Sequence, residues 1–302
     1  MKNNYLLGVM AGLCSALLWG AQSPIAKIIS ASGLNQVSVI CYRAVFTVLT
    51  VGLFILCTKG KSAFKIDRST AYSYSAVGIL GIGCNASGFM LSCVYLSVPQ
   101  ALILHYTFPL ITMAGEIFIT KEPPSKLQVI SGFLVMVGLY TGFFYGKSSF
   151  LDGISPIGIA WGTLSVFAIA GQTLITRKIS KGGASDPIIQ LFYAHVSAGA
   201  LLIPAKSILM GWSDLHFLTP RIFAIIHYPA IAASILGFGF LFTSLKYIPA
   251  SLTSMILTLE IVVALTLTPI LLHQVPTPHE IAGCAVILAS VLCSILSRRK
   301  SS

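Results

Sequence analysis

Charged residues are scarce in this 302-residue sequence, and their scarcity decides its broad class. Asp, Glu, Lys and Arg together make up 9% of the chain, against roughly one quarter in an average soluble domain. Hydrophobic residues make up 56%. So few charges cannot cover a globular surface in water, and lipid must therefore be the solvent for most of the chain. We expect an integral membrane protein.

The sequence also lacks the motifs that would indicate an enzyme or an ATP-driven pump. It contains no HExxH helix, no GxSxG elbow, no Walker A loop, no paired intramembrane aspartates and no paired CxxC. The seven cysteines lie within or at the end of apolar runs, which favours packing over disulfides or metal ligands: Cys14, Cys41, Cys57, Cys84, Cys93, Cys284 and Cys293. We predict no catalytic residues, no metal and no cofactor.

Apolar runs long enough to cross a bilayer, about 20 residues each, follow one another along the chain. The first run is too long for the apolar region of a cleaved signal peptide, and another span follows Lys27 directly. The predicted fold class is an all-α membrane protein with ten transmembrane helices, at about 5–26, 35–57, 71–95, 99–119, 127–145, 156–176, 186–209, 222–245, 249–272 and 280–296.

The net charge of +11 is unevenly distributed, and the distribution indicates how the helices are oriented. If the N-terminus is cytoplasmic, most Lys and Arg residues fall in cytoplasmic segments, and the outer segments hold only Lys27, Lys147, Lys206 and Arg221. Such a bias is typical of membrane proteins. It predicts a multi-pass protein of a bacterial inner membrane with both termini in the cytoplasm, and it argues against nucleic-acid binding.

The two halves of the chain resemble each other. GAQSPIAKIIS (20–30) aligns with AGQTLITRKIS (170–180), so that Gln22 matches Gln172, and later Tyr95 matches Tyr247. Each half has five predicted spans, an odd number, and the second copy must therefore enter the membrane upside down. We predict two domains, 1–146 and 147–302, that form two inverted five-helix repeats. This architecture is typical of alternating-access carriers, which hold their substrate in a pocket near the midplane where the repeats meet.

One carboxylate, Glu260, lies inside the ninth apolar run. Ionisable side chains at that depth are costly and usually functional. Its partner must come from another helix, and Arg43 is the natural candidate because it is the only basic residue well inside a span. The pair would be a structural brace. Alternatively, Glu260 would be a protonatable carboxylate that couples transport to protons.

The fourth predicted span carries His105, Pro109, Thr112 and Glu116 on one helical face. This face either packs against neighbouring helices or forms a wall of a transport pathway. In the second case His105 or Glu116 would bind substrate or a proton.

Further polar and aromatic residues lie at corresponding places in the two halves. Gln22 matches Gln172, Trp19 shares a face with Gln22, and Tyr193 matches Arg43. Helix-to-helix hydrogen bonding is the alternative role for such residues, whereas aromatic walls with a few polar anchors suit a small organic ligand. The predicted substrate contacts are Trp19, Gln22, Asn85, His105, Gln172, Tyr193 and Glu260.

The run LKYIPASLTSMILTLE (245–260), together with Trp19-Gly20, Lys27 and Arg43, is similar to the EamA-type carriers of the drug/metabolite transporter superfamily. The resemblance covers essentially the whole chain. It implies ten helices in two inverted repeats, cytoplasmic termini, a central cavity, and secondary transport of amino acids, metabolites or drugs, often outward. Two places depart from the family pattern, because Ile261 replaces a Pro and His273-Gln274 replace Gly-Glu. These changes concern coupling or gating rather than the fold.

The predicted function is secondary transport of a small metabolite by alternating access, with export of amino acids or related compounds as the leading interpretation. Uptake or exchange of a larger metabolite, such as a nucleotide-derived cofactor or a nucleotide sugar, is the alternative on the same fold. A membrane-embedded enzyme or a scaffold subunit is the alternative of a different class. The expected partners are the bilayer, a small-molecule substrate, and a coupling proton or counter-substrate.

Overall fold

The computed structural model describes residues 2–96, 98–144, 154–181, 185–273 and 275–299. These described residues include ten helical spans that are long and apolar enough to cross a membrane, and they include no strand. The predicted ten-helix fold class is thereby confirmed. The predicted boundary between the two domains, at 146 and 147, lies outside the described residues.

The spans are of two kinds, continuous helices and helices built from several pieces. The continuous ones are the second, Gln36–Lys59; the fifth, Lys126–Phe144; the sixth, Pro156–Ser180; the seventh, Pro187–Leu209; and the tenth, Pro278–Arg299. The others are the first, Lys2–Gly20 with Gln22–Ala31; the third, Arg68–Gly78, Ile79–Cys84 and Asn85–Tyr95; the fourth, Val98–His105 with Phe108–Ile119; the eighth, Pro220–Tyr228, Pro229–Gly237 and Phe238–Tyr247; and the ninth, Ala250–Leu257 with Glu260–Leu272.

Side-chain caps begin several of these helices where the apolar run starts. Asn35, Asp67, Ser155, Asp186 and Thr219 each accept a hydrogen bond from a backbone N–H in the first turn that follows. Such caps satisfy N–H groups that have no partner within the helix. The sixth, seventh and eighth spans also have proline at their first position, where its missing N–H costs nothing.

Wide π-helical turns lie at corresponding places in the two halves. They occupy Ile79–Cys84 in the third span and Pro229–Gly237 in the eighth. The sixth span packs on the first of these segments, and the first span packs on the second. Single π turns inside α-helices are frequent at functional sites. The two π segments therefore lie at the same offset as the matching residues of the predicted repeats.

Breaks in the helix also recur at corresponding places, in the fourth and ninth spans. At each break a threonine hydroxyl donates to a carbonyl three residues earlier, Thr107 to Leu104 and Thr258 to Met255, both at 2.7 Å. The neighbouring backbone N–H groups also bond three residues back instead of four. These tighter turns keep the backbone paired where the α-helix stops, as a low-dielectric environment requires.

Contacts between the halves are reciprocal. Ser15 of the first span donates to the Gly237 carbonyl in the eighth (3.0 Å), and Ser165 of the sixth donates to Asn85 Oδ1 in the third (2.8 Å). The second span packs on the seventh, and the fifth packs on the tenth. These contacts therefore join spans at corresponding positions of the two halves. This is the pattern that the predicted inverted repeats would produce.

A backbone contact between the third and seventh spans gives a test of this packing. A Cβ added to Gly78 would overlap with the backbone carbonyl of Ala194. We expect Gly78→Ala to destabilise the protein by about 1–3 kcal/mol, the usual range for overpacking. The measurement is the thermal unfolding midpoint of the purified protein in detergent.

Gly239 supplies the matched control, because a Cβ added there meets nothing within 4 Å. Gly239→Ala should leave the midpoint unchanged or raise it, since alanine favours helix more than glycine does. Equal midpoints for the two variants would contradict the close approach of the third and seventh spans.

Candidate functional site

The two breaks meet near the middle of the bundle through one hydrogen bond. Tyr106, at the break of the fourth span, donates from its hydroxyl to Glu260 Oε1 at 2.5 Å. Glu260 is the first residue of Glu260–Leu272, so its carboxylate lies at the positive end of that helix. Interrupted helices that meet at mid-membrane are the usual place for substrate and ion sites in carriers with inverted repeats.

A second chain of hydrogen bonds lies next to this pair. Ser165 donates to Asn85 Oδ1 (2.8 Å), and His105 Nδ1 lies 3.0 Å from the same Ser165 oxygen. Because the single hydroxyl hydrogen of Ser165 is used on Asn85, His105 donates from Nδ1. The His105 ring packs against Phe89 and Tyr106. Asn85, His105, Tyr106, Ser165 and Glu260 are called the break cluster below.

The break cluster joins both halves of the chain. Asn85, His105 and Tyr106 come from the third and fourth spans, whereas Ser165 and Glu260 come from the sixth and ninth. Gly20, at the interruption of the first span, lies against the Glu260 carbonyl so closely that a Cβ there would overlap with it. Three interrupted spans therefore converge at the cluster.

The model of the EamA-like transporter family matches residues 6–143 and 156–296. The chain belongs to this family. Two relatives are each 26% identical to it: the Bacillus subtilis protein named "Uncharacterized transporter YyaM", over 80% of this chain and 78% of its own, and a Haemophilus influenzae protein named "Uncharacterized transporter", over 86% and 82%. A solved crystal structure shares the fold, with a TM-score of 0.78 and 15% identity over 98% of this chain and 99% of its own.

Among the described residues of this EamA-like chain, no ion pair joins Arg43 to Glu260. Arg43 Nε donates to Ser234 Oγ in the eighth span at 2.8 Å. The reason is geometric: the break in the ninth span places Glu260 against the fourth span, while the second span packs Arg43 on the π segment of the eighth. Arg43 and Glu260 thus have separate partners in this conformation, and the brace role of the pair stays a prediction.

Trp19 and Tyr193 lie outside the break cluster. Trp19 donates from Nε1 to the Ala233 carbonyl at 2.9 Å and packs edge-on against Phe238. Tyr193 donates to the Phe64 carbonyl at 2.6 Å, close to the side of the bundle where the N-terminus lies, called the N-terminal side below. Trp19 thus contacts the π segment of the eighth span, and Tyr193 anchors a connecting segment.

The matched glutamines each carry a buried polar atom without a partner. Gln172 is buried, and its side chain fits against Gly81 in the π segment of the third span, where a Cβ would overlap with it. Its Nε2 has no hydrogen-bond partner, and neither does Gln22 Oε1. Buried polar atoms without a partner are uncommon in folded proteins, and these two lie at matching positions of the halves.

Glu116 lies near the end of the fourth span and contacts the ninth. It is fully buried, and its Oε1 accepts from the Ser251 N–H at 3.1 Å, in the first turn of Ala250–Leu257. The carboxylate therefore caps the first piece of the ninth span. This contact ties the fourth span to the ninth on the N-terminal side.

A charged network closes the same side. Arg177 donates to both oxygens of Glu122 (2.8 and 2.7 Å) and to the carbonyls of Leu245 and Lys246 (3.0 and 3.1 Å). Lys181 adds a second ion pair to Glu122. On the opposite side Asp214 accepts from Ser38, the Asn35 N–H and Lys206. Polar contacts thus join separate elements at both ends of the bundle.

Two hollows in the described part of the chain are lined by residues of both halves. One lies between the fifth and tenth spans. The other, of about 240 Å³, is lined mainly by apolar residues and by Gln100 and Thr107, beside the break of the fourth span. Between the two breaks, Tyr106 reaches across to Glu260.

Sequence reasoning missed Tyr106, Ser165 and Ser234 as site residues. Tyr106 adjoins His105, and Pro109 three residues later is a helix-breaking signal that could have indicated the interruption. Ser165 shares a helical face with Gln172. No sequence signal separated Ser234 from the other small residues of its span.

The Glu122 network gives a pH test. Burial raises the pKa of Glu122, but hydrogen bonds and charge from Arg177 and Lys181 outweigh it and hold the pKa below its ordinary value. A lowered folded-state pKa adds stability that is present above the unfolded pKa and lost as pH falls through the folded one. The wild type should therefore exceed Glu122→Gln in thermal midpoint at neutral pH, and the difference should shrink below about pH 4.

Lys126→Gln removes an exposed charge from the same region and serves as the control, with a midpoint close to that of the wild type throughout. A difference between wild type and Glu122→Gln that stays constant from neutral to acidic pH would contradict the ion pair. A double-mutant cycle with Arg177→Gln isolates the pairwise contribution.

Proposed function

We propose that this EamA-like transporter moves a small metabolite across a bacterial inner membrane by alternating access, with both termini in the cytoplasm, and that its substrate is an amino acid or a related compound moved outward. The observation that carries the proposal is the Tyr106–Glu260 hydrogen bond, which joins interrupted helices of opposite halves. Its supports are the family match and the reciprocal contacts between the halves.

The break cluster has the chemistry of a small polar ligand site. It offers a carboxylate, a phenol, an imidazole, a hydroxyl and an amide within one connected group. Glu260 is the one carboxylate of the group, and its hydrogen bond comes from a neutral donor that a substrate ammonium or a proton can replace. A ligand that competes with Tyr106 for Glu260 separates the fourth and ninth spans at their breaks.

Polar contacts join the spans at both ends of the bundle, and an alternating-access cycle would break one set at a time. Opening on the N-terminal side separates Arg177 from Glu122, and opening on the opposite side separates Asp214 from Ser38 and Lys206. The basic residues at the N-terminal side support its assignment to the cytoplasm.

The deciding experiment is counterflow in proteoliposomes. Vesicles containing the purified protein are loaded with unlabelled amino acids, and the entry of labelled amino acids is compared with that in protein-free vesicles. Protein-dependent exchange supports the proposal. Exchange of nucleotide-derived cofactors but of no amino acid would move the function to the larger-metabolite alternative, and product formation in detergent would indicate an enzyme.

Two variants test the role of the break cluster in this assay. Glu260→Gln removes the carboxylate, and Tyr106→Phe removes one hydrogen bond to it, worth about 1.5–3 kcal/mol when one partner is charged. We expect both to lower the initial rate of exchange about ten-fold or more at unchanged protein content.

Tyr140→Phe is the matched control for the loss of a phenol, because Tyr140 is exposed on the outside of the bundle, 57% accessible. It should exchange like the wild type. Wild-type rates for both Glu260→Gln and Tyr106→Phe would remove the break cluster from the transport pathway.

A further inference from the structure

Arg43 lies among the spans without an acidic partner. It is half-buried, and within the described residues no ion pair includes it. Its hydrogen bond from Nε to Ser234 Oγ uses one of five donors. Arginine donates through a planar fork, and the Arg43 donors that Ser234 does not use are available to an anionic group.

His195, in the seventh span, lies near Arg43 and is also unsatisfied. It is fully buried, with Nδ1 2.9 Å from the Leu191 carbonyl and with Nε2 lacking any partner. Phe238, one turn after the Ser234 that binds Arg43, packs against the His195 ring with 5.6 Å between ring centres. Because a carbonyl only accepts, Nδ1 carries the hydrogen, and Nε2 of the neutral ring is an acceptor that awaits a donor.

The π segment of the eighth span brings these groups to one place. Ser234 lies within the segment and holds Arg43, and Phe238, which follows it, packs against the rings of His195 and Trp19 (5.6 and 4.9 Å between ring centres). Guanidinium donors and an imidazole acceptor therefore lie beside an aromatic wall. The break cluster, by contrast, is held by the third, fourth, sixth and ninth spans.

We propose that Arg43 and His195 form a second subsite, which binds the carboxylate of the substrate on the Arg43 guanidinium and an adjacent N–H or O–H donor of the substrate on His195 Nε2. The ligand class is a 2-amino or 2-hydroxy carboxylic acid. This inference rests on the proposed transport function and specifies which end of the substrate the second, seventh and eighth spans recognise.

Charge balance favours a carboxylate over a phosphate monoester at this place. One guanidinium neutralises one carboxylate, and the planar fork of arginine matches its two oxygens. A phosphate monoester carries about 1.5 to 2 negative charges at neutral pH, so it would leave excess charge away from water. Trp19 and Phe238 provide contact for the apolar part of the ligand.

The test is direct binding to the purified wild-type protein, which does not depend on transport. The probes are the twenty proteinogenic amino acids, their primary amides, the matching 2-hydroxy acids and the matching acids with neither group. At least one amino acid should raise the thermal midpoint, as binding to the native state does. Calorimetry then compares each analogue with that amino acid. The primary amide should bind at least ten-fold more weakly, and the 2-hydroxy acid should bind within ten-fold of the amino acid. The acid that has neither an amino nor a hydroxyl group should bind more weakly than both the amino acid and the hydroxy acid.

Variants separate a ligand site from a structural role. Arg43→Gln should lose amino-acid binding at least ten-fold, while its ligand-free thermal midpoint equals or exceeds that of the wild type because an unpaired charge has been removed. His195→Phe should abolish the preference for acids that carry the adjacent donor. Arg68→Gln and His216→Gln, at exposed positions, are the controls and should bind like the wild type.

The inference is overturned if no amino or hydroxy acid binds, if amides bind as well as acids, or if Arg43→Gln binds like the wild type or has a lower ligand-free midpoint without any change in affinity. If other metabolites exchange but no amino or hydroxy acid binds, the subsite is contradicted and the transport function stands. If an amino acid binds but no compound is transported, the subsite stands and the transport function is contradicted.

Discussion

Every backbone N–H and C=O inside a bilayer needs a partner within the protein, and this requirement determines where the polar side chains of this chain lie. The fourth and ninth spans stop and restart at mid-bundle, and Thr107 and Thr258 bond the nearby carbonyls there. Trp19 and Ser15 donate hydrogen bonds to backbone carbonyls of the π segment in the eighth span. Polar residues are thus concentrated at irregular backbone, and irregular backbone is concentrated at the junction of the halves.

The halves keep the same backbone plan but carry different polar groups on it. Ser15 and Ser165 occupy corresponding places, yet one meets a glycine carbonyl and the other an asparagine side chain. The third and fourth spans supply Asn85, His105 and Tyr106, whereas Arg43, His195 and Ser234 are grouped around the eighth. Similar backbones that carry different polar side chains suit a ligand whose two ends differ chemically.

Composition and repeat analysis predicted the ten spans, because lipid exposure imposes a length and an apolarity that the sequence displays directly. The isolated carboxylate Glu260 was singled out for the same reason. Its partner was not found, since pairing depends on how the break rotates the ninth span, and Ile261 stands where a proline would have signalled that break. The π segments were also missed. A glycine-rich stretch is compatible with close α-helical packing, and only the backbone of Ile79–Cys84 distinguishes the two.

Arg177 binds elements of both halves, and this determines how the spans separate on the N-terminal side. The same guanidinium holds the connection that contains Glu122 and the last carbonyls of the eighth span. If either element moves away alone, a buried charge or a backbone carbonyl loses its hydrogen-bond partner. A partly separated state is therefore less stable than the closed or the fully separated state. Separation at this face is therefore a single cooperative event, in which water enters at all of these contacts together.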